Sequence, residues 1–405
     1  MHRPTNAELD DVRRAVEADL PDFLAYLERL VNTDCGSYTR AGVLEVGRWT
    51  GAFLERLGAA VEYRPDPAGQ LGDTVVATFR GRPGGPRVLL IGHLDTVFDP
   101  GTAAARPFRI DDGIARGPGV TDMKAGLLAG LYAIKALAGD GDGELPFERL
   151  TFIANPDEEI GSPTSTPHIR AAAADADVAL VLECARANGD IVSARKGIVD
   201  TRIEVTGRAA HAGVEPEKGR SAILEAARIV RDLHALNGRW PGVTVNVGVI
   251  AGGTRPNVVA ERCELEVDLR SATADALDTA SAEIAAIAAA TEVPDTMAEV
   301  TVRTSWRPME KLERSGRLVE HAQTVARQLG FEIADAATGG ASDANTTSGM
   351  GVPSLDGLGP VGGNDHSPVE YLEVDSIVPR TTLLAGLLLA IAGDPEILAW
   401  RGTPR

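Results

Sequence analysis

Apolar positions in this chain follow two periods, and the change from one to the other divides it into parts. Residues 7–31 set Val12, Val16, Leu20, Phe23, Leu24, Leu27 and Leu30 on one side at helical spacing. This predicts an amphipathic helix, with Pro21 expected to break it. A second helix is predicted over 42–59. Residues 74–79 and 87–92 read as strands, and 123–138 as a helix opening just after Asp122. Residues 150–154 and 178–182 are short, continuous apolar runs, the pattern of parallel strands buried on both faces. This alternation predicts an α/β fold, a doubly wound, mostly parallel sheet with helices on both sides.

From about residue 197 the period changes. Residues 198–205 alternate apolar and polar, 222–236 predict a helix, and 243–250 and 263–269 read as strands. An Ala-rich helix over 274–290 and a strand over 298–304 complete the order βαββαβ, a ferredoxin-like α+β unit. The α/β pattern then returns with a helix over 315–329, a strand over 331–336, a Gly-rich turn at 339–340 and a helix near 374–392. The expected organisation is a discontinuous first domain, 1–196 and 307–405, with a second domain, 197–306, inserted into it. The Gly/Asp run at 139–143 is expected to be a loop.

Composition narrows the class. A net charge of −18 argues against nucleic acid or an anionic membrane as partner. Cys35, Cys184 and Cys263 are too few and too scattered for a disulfide framework and read as buried free thiols. The first twenty residues are polar and acidic, without a signal-peptide core. No apolar run is expected to reach the ~20 residues of a membrane span, so a cytoplasmic protein is the expectation.

Candidate chemistry sits where the predicted strands end. The run 88–92 stops at His93-Leu94-Asp95, residue types a buried strand tip has no packing use for. Asp122 stands before a helix. Glu158 and Glu159 follow 150–154, Glu183 follows 178–182, and His366 lies in a loop near the C-terminus. Taken singly, Asp122 is an ordinary helix cap and the paired glutamates an ordinary solvated face. Together they supply what a two-metal hydrolase needs: imidazole and carboxylate ligands, and a carboxylate able to bridge two ions. They also leave a separate carboxylate to take a proton from water. Neighbouring residues in extended chain point apart, so Glu158 and Glu159 suit different tasks.

Several segments carry a family resemblance: Gly-His-Leu-Asp-Thr-Val at 92–97, Gly-Val-Thr-Asp-Met-Lys-Ala-Gly at 119–126, Asp-Glu-Glu-Ile-Gly-Ser at 157–162, Arg-Lys-Gly at 195–197 and Ala-His-Ala-Gly at 210–213. They resemble the dizinc exopeptidase family of glutamate carboxypeptidase, aminoacylase-1 and acetylornithine deacetylase, and most of all its bacterial glutamate carboxypeptidases. The resemblance implies a zinc exopeptidase-like catalytic domain with an inserted lid and dimerisation domain. It implies two zinc ions per subunit, replaceable by cobalt or manganese. His93, Glu183 and Asp122 would hold one ion, and Asp122, Glu159 and His366 the other. Glu158 would act as general base and acid, and Asp95 would orient His93. The resemblance also implies a cis peptide at Asp122–Met123.

On the substrate side, Lys196, His211, Asn257 and Arg270 read by themselves as surface charge and turn chemistry. The resemblance implies that His211 stabilises an oxyanion in the active site of a partner subunit. It also implies that Asn257 and Arg270 grip a terminal carboxylate, and that Lys196 meets a second acidic group. The segment Gly339-Gly340-Ala341-Ser342-Asp343-Ala344-Asn345 is similar to one common in that family, which implies that its backbone lines the pocket. The resulting expectation is a homodimeric metallocarboxypeptidase or amidohydrolase that releases a C-terminal amino acid, glutamate above all, from an N-acyl or peptidyl substrate. A deacylase or dipeptidase of the same family is the alternative, and a non-catalytic zinc-binding scaffold the rival from another class. A nucleotide-binding α/β protein is disfavoured, because no G-x-x-x-x-G-K-[ST] loop occurs.

Overall fold

A computed structural model of the chain describes residues 3–139 and 145–401. Residues 140–143 of the Gly/Asp run expected to be a loop lie outside the described residues. The chain forms two compact units. The larger falls within Met1–Ser193, Lys311–Ala337 and Ser342–Arg405, and the smaller comprises Ala194–Glu310 and Thr338–Ala341.

The larger unit is built on a six-stranded sheet. Its strands lie in the order Ala60–Arg64, Thr74–Arg80, Arg149–Asn155, Arg87–His93, Val178–Val181 and Ser354–Leu355. The last four run parallel, and the first two join antiparallel at one edge. The parallel strands are buried along nearly their whole length, which explains why they read as unbroken apolar runs. Register does the positioning. His93 pairs with Asn155, and Ile91 with Val181, so Glu183, two residues beyond Val181, ends level with His93.

The helices Asn6–Val31, Ala125–Ala138, Glu313–Gln328 and Ile377–Ala392 pack together with the sheet in one core. Pro21 does not break the first: the helix is continuous from Asn6 to Val31. One lost backbone hydrogen bond is outweighed there by burial of Val16, Phe23, Leu27 and Leu30 on both sides of the proline. The last helix also corrects an expectation. Val374–Ala392 has the length and hydropathy of a membrane span, but 67% of it is buried inside the protein. The strand expected at 331–336 forms at Asp335–Thr338 instead. Phe331 and Ile333 pack against Leu9, Val325 and Leu383, so their alternation reflects helix packing rather than sheet pairing.

A second, four-stranded sheet was not predicted. It orders Gly362–Gly363, Tyr371–Glu373, Ile114–Arg116 and Arg109–Asp111. Its strands are two or three residues long, too short to show a period. It fixes two loops against each other: the one after Arg116 that reaches Asp122, and the one between Gly363 and Tyr371 that holds His366.

A buried ionic cluster closes the C-terminal end of this unit. Asp394 accepts from Arg317 at 2.6 and 3.0 Å, lies 2.7 Å from His321 Nε2, and accepts from the Glu396 amide. Burial would raise the Asp394 carboxyl, but Arg317 and His321 outweigh it and hold it far below its usual range. Burial holds His321 below its ordinary value despite Asp394. Both shifts have the same sign: the folded state resists the proton that the unfolded state takes. The stability they contribute is complete above pH ~6.5 and is lost on acidification, first through His321 and then through Asp394 below pH ~4. Asp394→Asn should cost about 3 kcal/mol at pH 7 and flatten that acid limb. Urea melts at pH 7 and pH 4 check this, and an unchanged acid limb in the variant would contradict it.

The smaller unit has the chain order βαββαβ. Its antiparallel sheet runs Thr244–Gly252, Arg262–Ser271, Gly197–Thr206, Met297–Trp306, and the helices Ala222–His234 and Ala274–Ala289 pack with it. Strand Gly197–Thr206 alternates buried and half-buried positions, and Val199, Ile203 and Val205 enter the core shared with the helices. Thr244–Gly252 is an edge strand with Val249 and Ile250 exposed.

Candidate active site

The carboxyl ends of the parallel strands converge on one cluster of ionisable side chains. His93 is buried at the tip of its strand. Its Nδ1 lies 3.0 Å from the backbone oxygen of Asp95 and its Nε2 3.1 Å from Asp122 Oδ1. A proton on Nδ1 donated to that carbonyl leaves the Nε2 lone pair facing Asp122, the tautomer a metal ligand needs. Glu183 Oε1 lies 3.7 Å from the same Nε2. On the other side, His366 Nε2 lies 3.1 Å from both Asp122 Oδ2 and Glu159 Oε2. Asp122 therefore turns one oxygen to each histidine.

Close packing at a glycine brings Asp122 to this point. A Cβ on Gly126 would sit 1.9 Å from the Leu182 carbonyl oxygen, so only glycine lets helix Ala125–Ala138 touch the chain beside Glu183. The Asp122–Met123 peptide is cis, as the resemblance implied.

Asp95 does more than face His93. Its carboxylate is 3.4 Å from Nδ1, and its two oxygens also accept from the Glu158 and Glu159 amides at 3.2 Å each and from Ser37 Oγ at 2.6 Å. One side chain thus ties the His93 strand to the glutamate turn. Asp343 braces that turn from the far side, accepting from Ser162 Oγ at 2.7 Å and from Asn155 Nδ2. Burial pushes its carboxyl up to about 7.

The charges are unbalanced. Burial would lower His93, but Asp122, Asp95 and Glu183 outweigh it and hold the imidazole well above its ordinary value. Hydrogen bonds to Asp122 and Glu159 push His366 up to about 10. Burial, then the Glu183 charge, push Glu158 well above the usual carboxylate range. Among the described residues neither histidine forms an ion pair with Glu158. Four carboxylates facing two imidazoles, of which His93 is buried and His366 exposed, call for cations. Ligand-type atoms of His93, Asp122 and Glu159, and separately of His93, Glu158 and Glu183, lie within 4.8 Å of one another. Nitrogen and oxygen donors of this kind suit a divalent transition ion such as zinc.

The remaining predicted residues belong to the smaller unit. His211 is exposed, and its loop pairs with that of Asn257: Ala212 N donates to Asn257 O at 3.0 Å, and Gly213 N to His211 Nδ1 at 3.2 Å. Arg270 Nε is taken by Asp268 and its Nη1 donates to Gly339 O at 2.9 Å. Lys196 N donates to Thr338 O, and Arg195 Nη1 to Gly340 O. Lys196, Arg270 and residues 338–340 thus come together. The glycine segment is divided: 338–341 belongs to the smaller unit, while Ser342 and Asp343 belong to the larger.

Sequence reasoning missed Glu370. Its buried carboxylate accepts from the amides of Gly119 at 2.9 Å, Thr121 at 2.9 Å and Asp122 at 3.1 Å. It clamps the Asp122 loop from the hairpin that carries His366. Its position four residues after His366 was the one available signal. Glu370→Gln would turn an amide donor toward backbone donors. The variant should lose roughly 10- to 100-fold in metal affinity and about 1–3 kcal/mol of stability. Equilibrium dialysis decides, and wild-type affinity would refute the clamp.

A sheet with imidazole and carboxylate ligands gathered at its strand ends, beside a carboxylate paired with neither histidine, defines a metallohydrolase. The chain belongs to the peptidase family M20/M25/M40, whose model matches residues 89–390. It is 30% identical over 380 residues to carboxypeptidase G2 of Pseudomonas sp., covering 93% of this chain and 91% of that one. It is also 30% identical over 269 residues to the acetylornithine deacetylase of Proteus mirabilis, covering 62% and 67%. Among solved structures, the aminopeptidase PepT of Bacillus cereus shares the fold, with a TM-score of 0.74 and 24% identity over 92% of this chain and 99% of that one.

Proposed function

We propose that this metallohydrolase is a dizinc carboxypeptidase that cleaves an amide bond to release a C-terminal glutamate from an N-acyl or peptidyl substrate. The observation that carries the reading is Glu158, a buried carboxylate beside His93 and Glu183 that forms an ion pair with neither histidine. His93, Asp122 and Glu183 would hold one ion, and Asp122, Glu159 and His366 the other. When bound, such ions polarise a carbonyl and acidify water. Glu158 would take the proton of the attacking water as the new C–O bond forms. It would then deliver that proton to the leaving nitrogen as the C–N bond breaks, giving a carboxylate and a free amine. Asp95 would keep His93 oriented and the Glu158 turn in place.

His211 is proposed to donate to the developing oxyanion from the partner subunit of a homodimer. The exposed Val249 and Ile250 on an edge strand support an interface in the smaller unit. Asn257 and Arg270 are proposed to hold the terminal carboxylate, using the Nη2 group that Asp268 and Gly339 leave uncommitted. Lys196 would meet the glutamate side chain. The 30% identity to carboxypeptidase G2 supports this assignment.

The test is a panel assayed with zinc present: folate, acetyl-glutamate, glutamate- and alanine-terminated dipeptides, and acetylornithine. Glutamate-terminated substrates should lead in kcat/KM, and Lys196→Met should narrow their lead over alanine roughly tenfold, mainly through KM. Preference for acetylornithine would overturn the reading in favour of a deacylase, which the similarity to acetylornithine deacetylase also supports.

A further inference from the structure

Behind the loops that carry Asp122 and His366, the larger unit has a cavity of about 600 Å³ bordered by Arg106, Arg109 and Arg116, with Asn364 and Tyr371. No carboxylate borders it among the described residues. The chain has 58 acidic residues against 40 Lys and Arg, so a cavity that gathers three arginines and no carboxylate reverses the chain's charge locally. Arg106 and Arg116 form no ion pair among the described residues. Arg106 donates from Nη1 to Ser367 O at 3.2 Å and lies over the Phe98 ring, 4.5 Å from its centroid. Arg116 donates from Nη1 to Val369 O at 3.3 Å. Each guanidinium is thereby anchored by one nitrogen to the backbone of the His366 loop, with the rest of its fork uncommitted. Arg109 adds a third charge, partly offset by Asp111 at 2.8 Å.

We propose that this pocket binds a compact anion with at least two acidic oxygens, a carboxylate or phosphate group. Anchored planar forks meet such oxygens in paired, charge-assisted hydrogen bonds. The pocket's walls belong to the loops of Asp122 and His366, so an anion bound there rests on the same backbone as those ligands. The anion is either a remote acidic group of the substrate's acyl part or a free ion.

Sulfate is the probe, because it stays doubly ionised from pH 6 to 9 and binds divalent metals weakly. Calorimetry on the metal-loaded full chain, with chloride as the control at equal ionic strength, should show one saturable site. Its affinity should be flat across that pH range, because guanidinium does not titrate there. Arg106→Gln with Arg116→Gln should weaken binding about 100-fold, roughly tenfold for each arginine. Should that pair of changes unfold the protein, Arg109→Gln, at an exposed position, should still weaken binding severalfold. No saturable binding, equal binding in the variants, or affinity that falls through the histidine range would overturn the proposal. A second arm, which rests on the hydrolase reading, separates the two sources. Sulfate that raises KM only for substrates with a carboxylate on the acyl part identifies a substrate subsite. Sulfate that alters turnover of all substrates alike identifies a free-ion site. Binding is measured without turnover, so failure of the hydrolase reading leaves the first arm intact.

Discussion

Glu158→Gln should lower kcat by about three orders of magnitude, within the range general acid–base groups contribute, while the protein stays folded and metal-loaded. The amide matches the carboxylate in shape but cannot accept the water's proton. The side chain is buried, and the negative charge of Glu183 beside it adds to burial in pushing its carboxyl up. In the metal-free protein that upward shift favours the neutral, protonated carboxyl, so a neutral amide of the same shape changes little, and the melting temperature should not fall. That combination separates a proton-transfer role from a structural one, because a merely structural residue would lower stability along with turnover. Turnover within threefold of wild type would remove Glu158 from the mechanism.

Removing the metal should have the largest effect on the molecule as a whole. Without cations, protons take their place: His366 is held up to about 10 and Glu158 well above its usual range. Chelation should abolish hydrolysis and lower the melting temperature by several degrees, since ions present at about a thousand times their Kd each contribute about 4 kcal/mol. Zinc, cobalt or manganese should restore both properties. Activity that survives exhaustive chelation would rule out a metal-dependent hydrolysis.

Much of the site was legible along the chain because its ligands interrupt strong local patterns. His93 ends an apolar strand, and Glu183 ends another held beside it in parallel register. The smaller unit was legible from the change to period-two alternation at Gly197–Thr206. What the sequence hid depends on distance. Glu370 acts on amides 248 to 251 residues away, and its sheet has strands too short for any period. Asp343 carried a signal, the Gly-Gly-Ala-Ser-Asp segment, but its side chain braces the Glu158 turn in addition to whatever the backbone does. Phe331 and Ile333 misled because an apolar alternation packs on helices as well as in a sheet. Arg106 and Arg116 stand out only once the fold sets both beside one cavity that no carboxylate borders among the described residues.

We propose that Asp122, facing His93 with one oxygen and His366 with the other, joins two metal positions into one site. The deciding measurement is the number of metal equivalents retained per chain after equilibrium dialysis against zinc, in wild type, Glu158→Gln and Asp122→Asn. Wild type and Glu158→Gln should each retain about two equivalents, and Asp122→Asn fewer than one, because a shared ligand weakens both positions when it is lost. Two equivalents retained by Asp122→Asn, or a single equivalent in wild type, would contradict it.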